Sequence, residues 1–155
     1  MKTAGELLVE KSKDMITVSP DTTIYDAIKT MTENKIGSIL VNDNGKIIGI
    51  WTERDLMQNI MDENFNIKTA VIKDYMTREL FSADYTDTIY QLQDKFLGRR
   101  LRHLLIKRDE EYLGLLSVGD VVRASLNLTM NELNDLKAIV SWEYYEDWKW
   151  NLRRK

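Results

Sequence analysis

Apolar positions along this chain change their spacing several times, and each change marks an element. Ile16-Thr17-Val18 is a short β-branched run that Ser19-Pro20-Asp21 stops as a turn. Ile24, Ala27, Ile28 and Met31 then recur on one helix face, and Thr23 with Asp26 reads as a capping box, which predicts a helix over about 23 to 34. Ser38 to Val41 and Ile47 to Trp51 are strand-like runs on either side of Asn42-Asp43-Asn44-Gly45. Because Asn-Gly accepts positive φ, this is a β-hairpin. Thr52 opens another helix, with Leu56, Ile60 and Met61 on one side, ending near Asp62.

The same order returns 65 residues later without a gap: Thr23 falls on Thr88, Ile24 on Ile89, Leu40 on Leu105, Gly49 on Gly114 and Asp55 on Asp120. The second unit therefore predicts a strand over Leu80 to Ala83 and a helix over Thr88 to Leu97. A hairpin from His103–Lys107 and Tyr112–Leu116 follows, then a helix from Ser117. Its turn, Arg108-Asp109-Glu110-Glu111, has no glycine, so this hairpin leans on the repeat. Each unit reads strand, helix, strand, strand, helix, with a helical connection that implies a parallel first pair. Two copies are too few for a solenoid, and about 60 residues bury too little surface to stand comfortably alone, so the units are expected to share one core as a pseudo-twofold pair.

Three segments fall outside the repeat. Leu7-Leu8-Val9 recurs loosely as Ile72-Lys73-Asp74-Tyr75-Met76, and both look like lead-ins. Glu63 to Val71 is polar and reads as a linker. Past Leu126, Thr129 with Glu132 gives a further capping box. Leu133, Leu136, Val140, Tyr144 and Trp148 keep a helical spacing, for a terminal helix on the order of 30 Å long. It carries Trp142, Trp148 and Trp150, aromatic surface expected to be covered either by its own domain or by a second subunit. The divisions are thus 1–65, 66–126 and a helical extension over 127–155.

Composition narrows the function classes. Apolar residues are 43% and charged residues 30% of the chain, ordinary for a soluble globular protein, and no apolar run reaches the ~18 residues of a membrane span. No signal-like segment opens it, so a cytoplasmic location is the expectation. Without cysteine there is no disulfide, thiolate nucleophile or Cys-ligated zinc, and with one histidine no His-rich metal site. A net charge of −3 provides no field for nucleic acid. Only Arg99-Arg100-Leu101-Arg102 and Arg153-Arg154-Lys155 form local basic patches.

The repeated chemistry lies at Gly49-x-x-Thr52-x-x-Asp55 and Gly114-x-x-Ser117-x-x-Asp120. A hydroxyl followed three residues on by a carboxylate is sufficiently explained as a helix cap. The preceding glycine is not, and it admits a close approach to the backbone beside a helix N-terminus that favours an anion. An aspartate there can accept hydrogen bonds from a ribose diol, and the set suits a nucleoside with a phosphate tail. Ser117, His103 and Asp120 can be drawn as a catalytic triad, but no Gly-x-Ser-x-Gly elbow is present and the serine already has a capping role. The chain is read as a non-enzyme.

With these motifs in register, the chain resembles a tandem pair of CBS domains, the Bateman module, over roughly residues 1 to 126. The resemblance implies an α+β fold of two βαββα repeats plus the C-terminal helix, and a regulatory role without a catalytic cofactor. It implies an adenine nucleotide, AMP, ADP or ATP, with Asp55 and Asp120 on ribose and Thr52 and Ser117 towards phosphate. The adenine would slot between Thr17-Val18 and Ile36-Gly37-Ser38, and between Ser82-Ala83 and Leu101-Arg102-His103. Arg54, Arg102 and His103 are the phosphate candidates, Arg54 having only Gly119 as its counterpart, so the first site is expected to be the stronger. The expected partners are a second copy of the chain, forming a homodimer, and an unidentified protein that reads the state. S-adenosylmethionine or another adenosyl compound remains an alternative ligand, and a ligand-independent assembly module an alternative function.

Overall fold

A computed structural model describes residues 1–152 of the backbone and the side chains through Ala138. Its elements in chain order are α1 (Ala4–Lys11), β1 (Thr17–Val18), α2 (Ile24–Asn34), β2 (Ser38–Asp43), β3 (Lys46–Thr52) and α3 (Glu53–Asn59). A short 3₁₀ turn over Ile72–Asp74 leads to β4 (Ser82–Asp84), α4 (Ile89–Arg99), β5 (His103–Arg108), β6 (Glu111–Ser117) and α5 (Val118–Leu152). There are two three-stranded sheets, β1-β2-β3 and β4-β5-β6, each with a parallel first pair and an antiparallel hairpin.

The 65-residue register survives in backbone detail. Thr17 pairs with Leu40 and Ser82 with Leu105, and the hairpins carry bulges after Val41 and after Ile106. Lys35 and Arg100 end α2 and α4 in left-handed conformations, at φ 53° and 52°. The glycine-free second turn closes because Asp109 adopts φ 53°, as Asn44 does at 51° in the first. Asn and Asp tolerate this region because their short side chains bond locally.

Each repeat has its own core: Ile24, Met31, Ile39, Val41 and Trp51 in the first, and Ala83, Ile89, Leu92, Phe96, Leu104 and Leu116 in the second. A third cluster joins the sheets, and it maps onto itself under the offset: Leu40 with Leu105, Ile47 with Tyr112, Ile50 with Leu115 and Met15 with Leu80. That self-matching contact is what a pseudo-twofold pair requires.

The lead-ins are exchanged between the repeats. Ala4 and Leu7 of α1 lie in the second core, whereas Ile72 and Met76 lie in the first. The backbone bonds confirm the exchange: the Ala4 and Ile89 amides donate to the Asp87 and Lys2 carbonyls, and the Ile72 and Ile24 amides to the Thr22 and Ala70 carbonyls. Here the two lead-ins superpose at an offset of 68, not 65 (Lys2 on Ala70, Ala4 on Ile72). The three-residue difference is taken up before β1, where α1 runs a turn longer than its counterpart.

The motif glycines serve this exchange. A Cβ on Gly49 would lie 2.3 Å from Met76 Sδ, and one on Gly114 would lie 2.7 Å from Leu8 Cδ2. The close approach expected of a ligand is therefore made by the other repeat's lead-in.

Other expectations are corrected. Ile60 and Met61 are exposed beyond the end of α3, and only Leu56 of the expected face packs on the core. The segment 63–71 is more than a linker, since Phe65, Ile67 and Ala70 pack on the first core and Phe65 meets the Tyr75 ring edge-on at 5.0 Å. Thr129 caps nothing: its hydroxyl donates to the Ser125 carbonyl inside α5, which runs unbroken for 35 residues, about 52 Å at 1.5 Å per residue. Val121, Ala124 and Leu128 anchor the start of α5, and Thr129 to Ala138 are exposed. The side chains of Val140, Trp142, Tyr144, Trp148 and Trp150 lie outside the described residues.

Candidate functional site

The strand ends and helix starts of both repeats converge on two clefts. At the end of β3, Thr52 accepts from the Asp55 amide at 3.3 Å, while Asp55 Oδ2 accepts from the Thr52 amide at 2.8 Å and hydroxyl at 3.0 Å. At the end of β6, Asp120 Oδ2 accepts from the Ser117 amide and hydroxyl, each at 2.8 Å. Both motifs are thus complete helix caps. Oδ1 of each aspartate makes no hydrogen bond among the described contacts, so capping leaves each carboxylate an acceptor for a second partner. Ser117 donates its hydroxyl directly to Asp120, so the serine–histidine–aspartate order of a hydrolytic triad is not formed.

The first cleft, about 440 Å³, brings Thr52, Arg54 and Asp55 of the first repeat against Leu80, Phe81, Leu101, Arg102 and His103 of the second. The second, about 700 Å³, brings Ser117 and Asp120 against Met15, Ile16, Ile36, Gly37 and Ser38 of the first repeat. Each carboxylate therefore faces the slot of the other repeat, because the sheets pack around a pseudo-twofold. Arg54, Arg102 and His103 do share one cleft, as the pairing of basic residues across the repeats required. Thr17, Val18, Ser82 and Ala83 are not among the lining residues of either cleft. Ala83 is buried in the second core, and the residues just before each strand take the lining position. Arg99 stacks over the Phe81 ring at 5.3 Å, bracing one wall.

Lys11, which the repeat did not single out, sits on the extra turn of α1. Its Nζ donates to Asp120 Oδ2 at 2.8 Å and to the Leu115 carbonyl at 2.9 Å. Burial raises the cost of the Asp120 charge, yet the bonds from Lys11 and Ser117 prevail and hold its carboxyl below the usual range. Burial, reinforced by Lys11 and Arg102, pushes the His103 imidazole below its ordinary value against the pull of Asp120. His103 lines both clefts.

The charge balance does not follow Arg54 alone. The first cleft has Arg54, Arg100 and Arg102 against Glu53, Asp55 and Glu79, whereas the second has Lys11, Lys13, Lys35 and Arg123 against Asp14 and Asp120. The second cleft is the more cationic, contrary to the expectation from the motif residues.

Comparison with known proteins agrees with this architecture. The CBS domain model matches residues 4–62 and 72–127. The mitochondrial CBS domain-containing protein CBSX3 of Arabidopsis thaliana is 32% identical over 129 residues, which span 80% of this chain and 63% of that protein. The crystal structure of the CBS-domain containing protein ATU1752 from Agrobacterium tumefaciens is 32% identical, with a TM-score of 0.75 covering 80% of this chain and 99% of that one. A CBS domain protein from Pyrobaculum aerophilum, complexed with AMP, shares the fold at 18% identity and TM-score 0.66, covering 77% of this chain and 89% of that one. With both repeats matched in sequence and the paired sheets matched in structure, the chain belongs to the CBS domain family as a tandem pair.

Proposed function

We propose that this CBS pair is a regulatory module that binds an adenosine-containing ligand, AMP, ADP or ATP, in the clefts between its repeats. It passes their occupancy to a protein partner or to a change in self-assembly. The observation that carries this reading is that Asp55 and Asp120, each with one carboxylate oxygen not used in the cap, line clefts that also hold apolar side chains of the other repeat: Leu80, Phe81 and Leu101 for Asp55, and Met15, Ile16 and Ile36 for Asp120. A ribose diol donates to such an oxygen, and the slots of Leu80 with Phe81 and of Met15 with Ile16 take the adenine face. Arg54, Arg102 and His103 stand as phosphate donors in the first cleft. Thr52 and Ser117 both direct their hydroxyl protons to their own aspartates, so either hydroxyl must turn away to meet a phosphate oxygen. The AMP complex of the Pyrobaculum aerophilum protein supports the ligand class. The module works without catalysis, and a cytoplasmic location and a homodimer belong to the same reading.

Titration calorimetry and thermal shift with AMP, ADP, ATP, adenosine and S-adenosylmethionine test it. Stability should rise with ligand concentration. Charge-assisted bonds are worth about 1.5 to 3 kcal/mol each, so Asp55→Asn and Asp120→Asn should each weaken their own site about ten- to a hundredfold while keeping a capping oxygen. A folded double variant that binds like the wild type would reduce both motifs to caps, and indifference to all five compounds would leave an assembly module.

A further inference from the structure

The two clefts differ in charge far more than their shared motif suggests. With one aspartate in each reserved for ribose, the first holds three arginines against Glu53 and Glu79, and the second holds four cations against Asp14 alone. We propose that the Asp120 cleft is the site for a nucleoside polyphosphate, with two or more phosphates, and that the Asp55 cleft takes an adenosyl ligand with one phosphate or none. This rests on the adenosine reading above and goes on to assign a ligand class to each cleft.

Three features of the second cleft carry the assignment. Lys13, Lys35 and Arg123 line it from three different segments, and among the described residues none of them has an ion-pair partner. Phosphates entering the cleft therefore need displace no carboxylate from them. Lys11 uses two of its three N–H donors on Asp120 and the Leu115 carbonyl, leaving the third for a phosphate oxygen beside the ribose acceptor. The volume, about 700 Å³ against 440 Å³, accommodates the longer ligand. Glu53 and Glu79 line the first cleft and do not line the second. Two carboxylates in that position repel a polyphosphate tail.

The test titrates the full chain with ATP, ADP, AMP, adenosine and inorganic triphosphate at low and high salt. It compares the wild type with Asp55→Asn, Asp120→Asn and a triple variant, Lys13→Gln with Lys35→Asn and Arg123→Gln. These three side chains are exposed, and Asn tolerates the left-handed conformation at 35, so the fold is kept. ATP and ADP should bind at least tenfold tighter than adenosine, with strong salt dependence. The triple variant should lose that advantage while adenosine and AMP stay within about twofold. Asp120→Asn should weaken ATP, and Asp55→Asn should not. Equal affinity of ATP and adenosine, an unaffected triple variant, or loss of ATP binding in Asp55→Asn overturns the assignment while the adenosine reading stands. If inorganic triphosphate binds as tightly as ATP, the cleft is an anion patch without nucleoside recognition, which also overturns it. Failure of every adenine compound on the wild type overturns the adenosine reading itself.

Discussion

Lys11 and Asp120 lie 109 residues apart in sequence and 2.8 Å apart in space, one on the exchanged N-terminal helix and the other at the cap of α5. The contact ties the first segment of the chain to the carboxylate of the second cleft. It has no equivalent at Asp55, because the lead-in of the second repeat lacks the turn that carries Lys11. The pseudo-symmetric motif is therefore asymmetric in its electrostatics.

Lys11→Met should raise the Asp120 pKa and cost on the order of 1 kcal/mol, since both side chains are partly exposed and the pair is screened. The sign follows from the lowered folded-state value: the stabilisation is present above the unfolded carboxylate range and is lost as pH falls through the folded pKa. Carboxyl-carbon NMR titration of Asp120 in both proteins checks this. An unchanged titration would mean that Ser117 alone sets the charge.

Gly49→Ala should destabilise the fold by about 1 to 3 kcal/mol, because the new methyl group meets Met76 Sδ and Cγ inside a packed core. Gly114→Ala should cost less, as Leu8 is only partly buried and its side-chain tip can move. Urea denaturation of both, and of Gly49→Ala combined with Met76→Ala, separates steric conflict from backbone effects. If the second change gives no relief, contact with the lead-in is not the reason for the glycine.

His103 is held below its ordinary value, so the unfolded chain binds its proton more readily than the folded chain does. Stability should therefore decline as pH falls through about 6.5 and level off below the folded pKa. His103→Gln should flatten that part of the curve. Matched thermal melts from pH 5 to 8 provide the comparison, and parallel curves for the two proteins would place the titration elsewhere.

Val122, Leu126, Met130, Leu133 and Leu136 are all exposed along α5, at the three- and four-residue spacings of a coiled-coil seam. If the proposed homodimer forms through this face, glutamate at Met130, Leu133 and Leu136 should convert it to a monomer in sedimentation velocity with little change in the melting of the paired domains. A triple variant that sediments like the wild type would clear this face of a role in assembly.

The repeat, both hairpins and the caps at Thr52, Thr88 and Ser117 were legible in the chain alone, because they depend on local spacing and on residues a few positions apart, whereas the same spacing at Thr129 misled because nothing local ends the helix before it. Thr52 with Asp55 and Ser117 with Asp120 form the caps that their spacing predicts, and the glycine-free turn at Asp109 closes as the repeat requires. The membership of each site was decided by tertiary structure. Exchange of the lead-ins placed Met76 over Gly49 and Leu8 over Gly114, and pseudo-twofold packing set each aspartate against the other repeat's slot. A signal for the exchange does exist in the sequence, as a second register of 68 residues between the lead-ins, but the dominant register of 65 hides it. Lys11 falls in the three-residue gap between the two registers, where nothing local distinguishes a cleft cation from a solvated helix end. Only the fold brings it to Asp120.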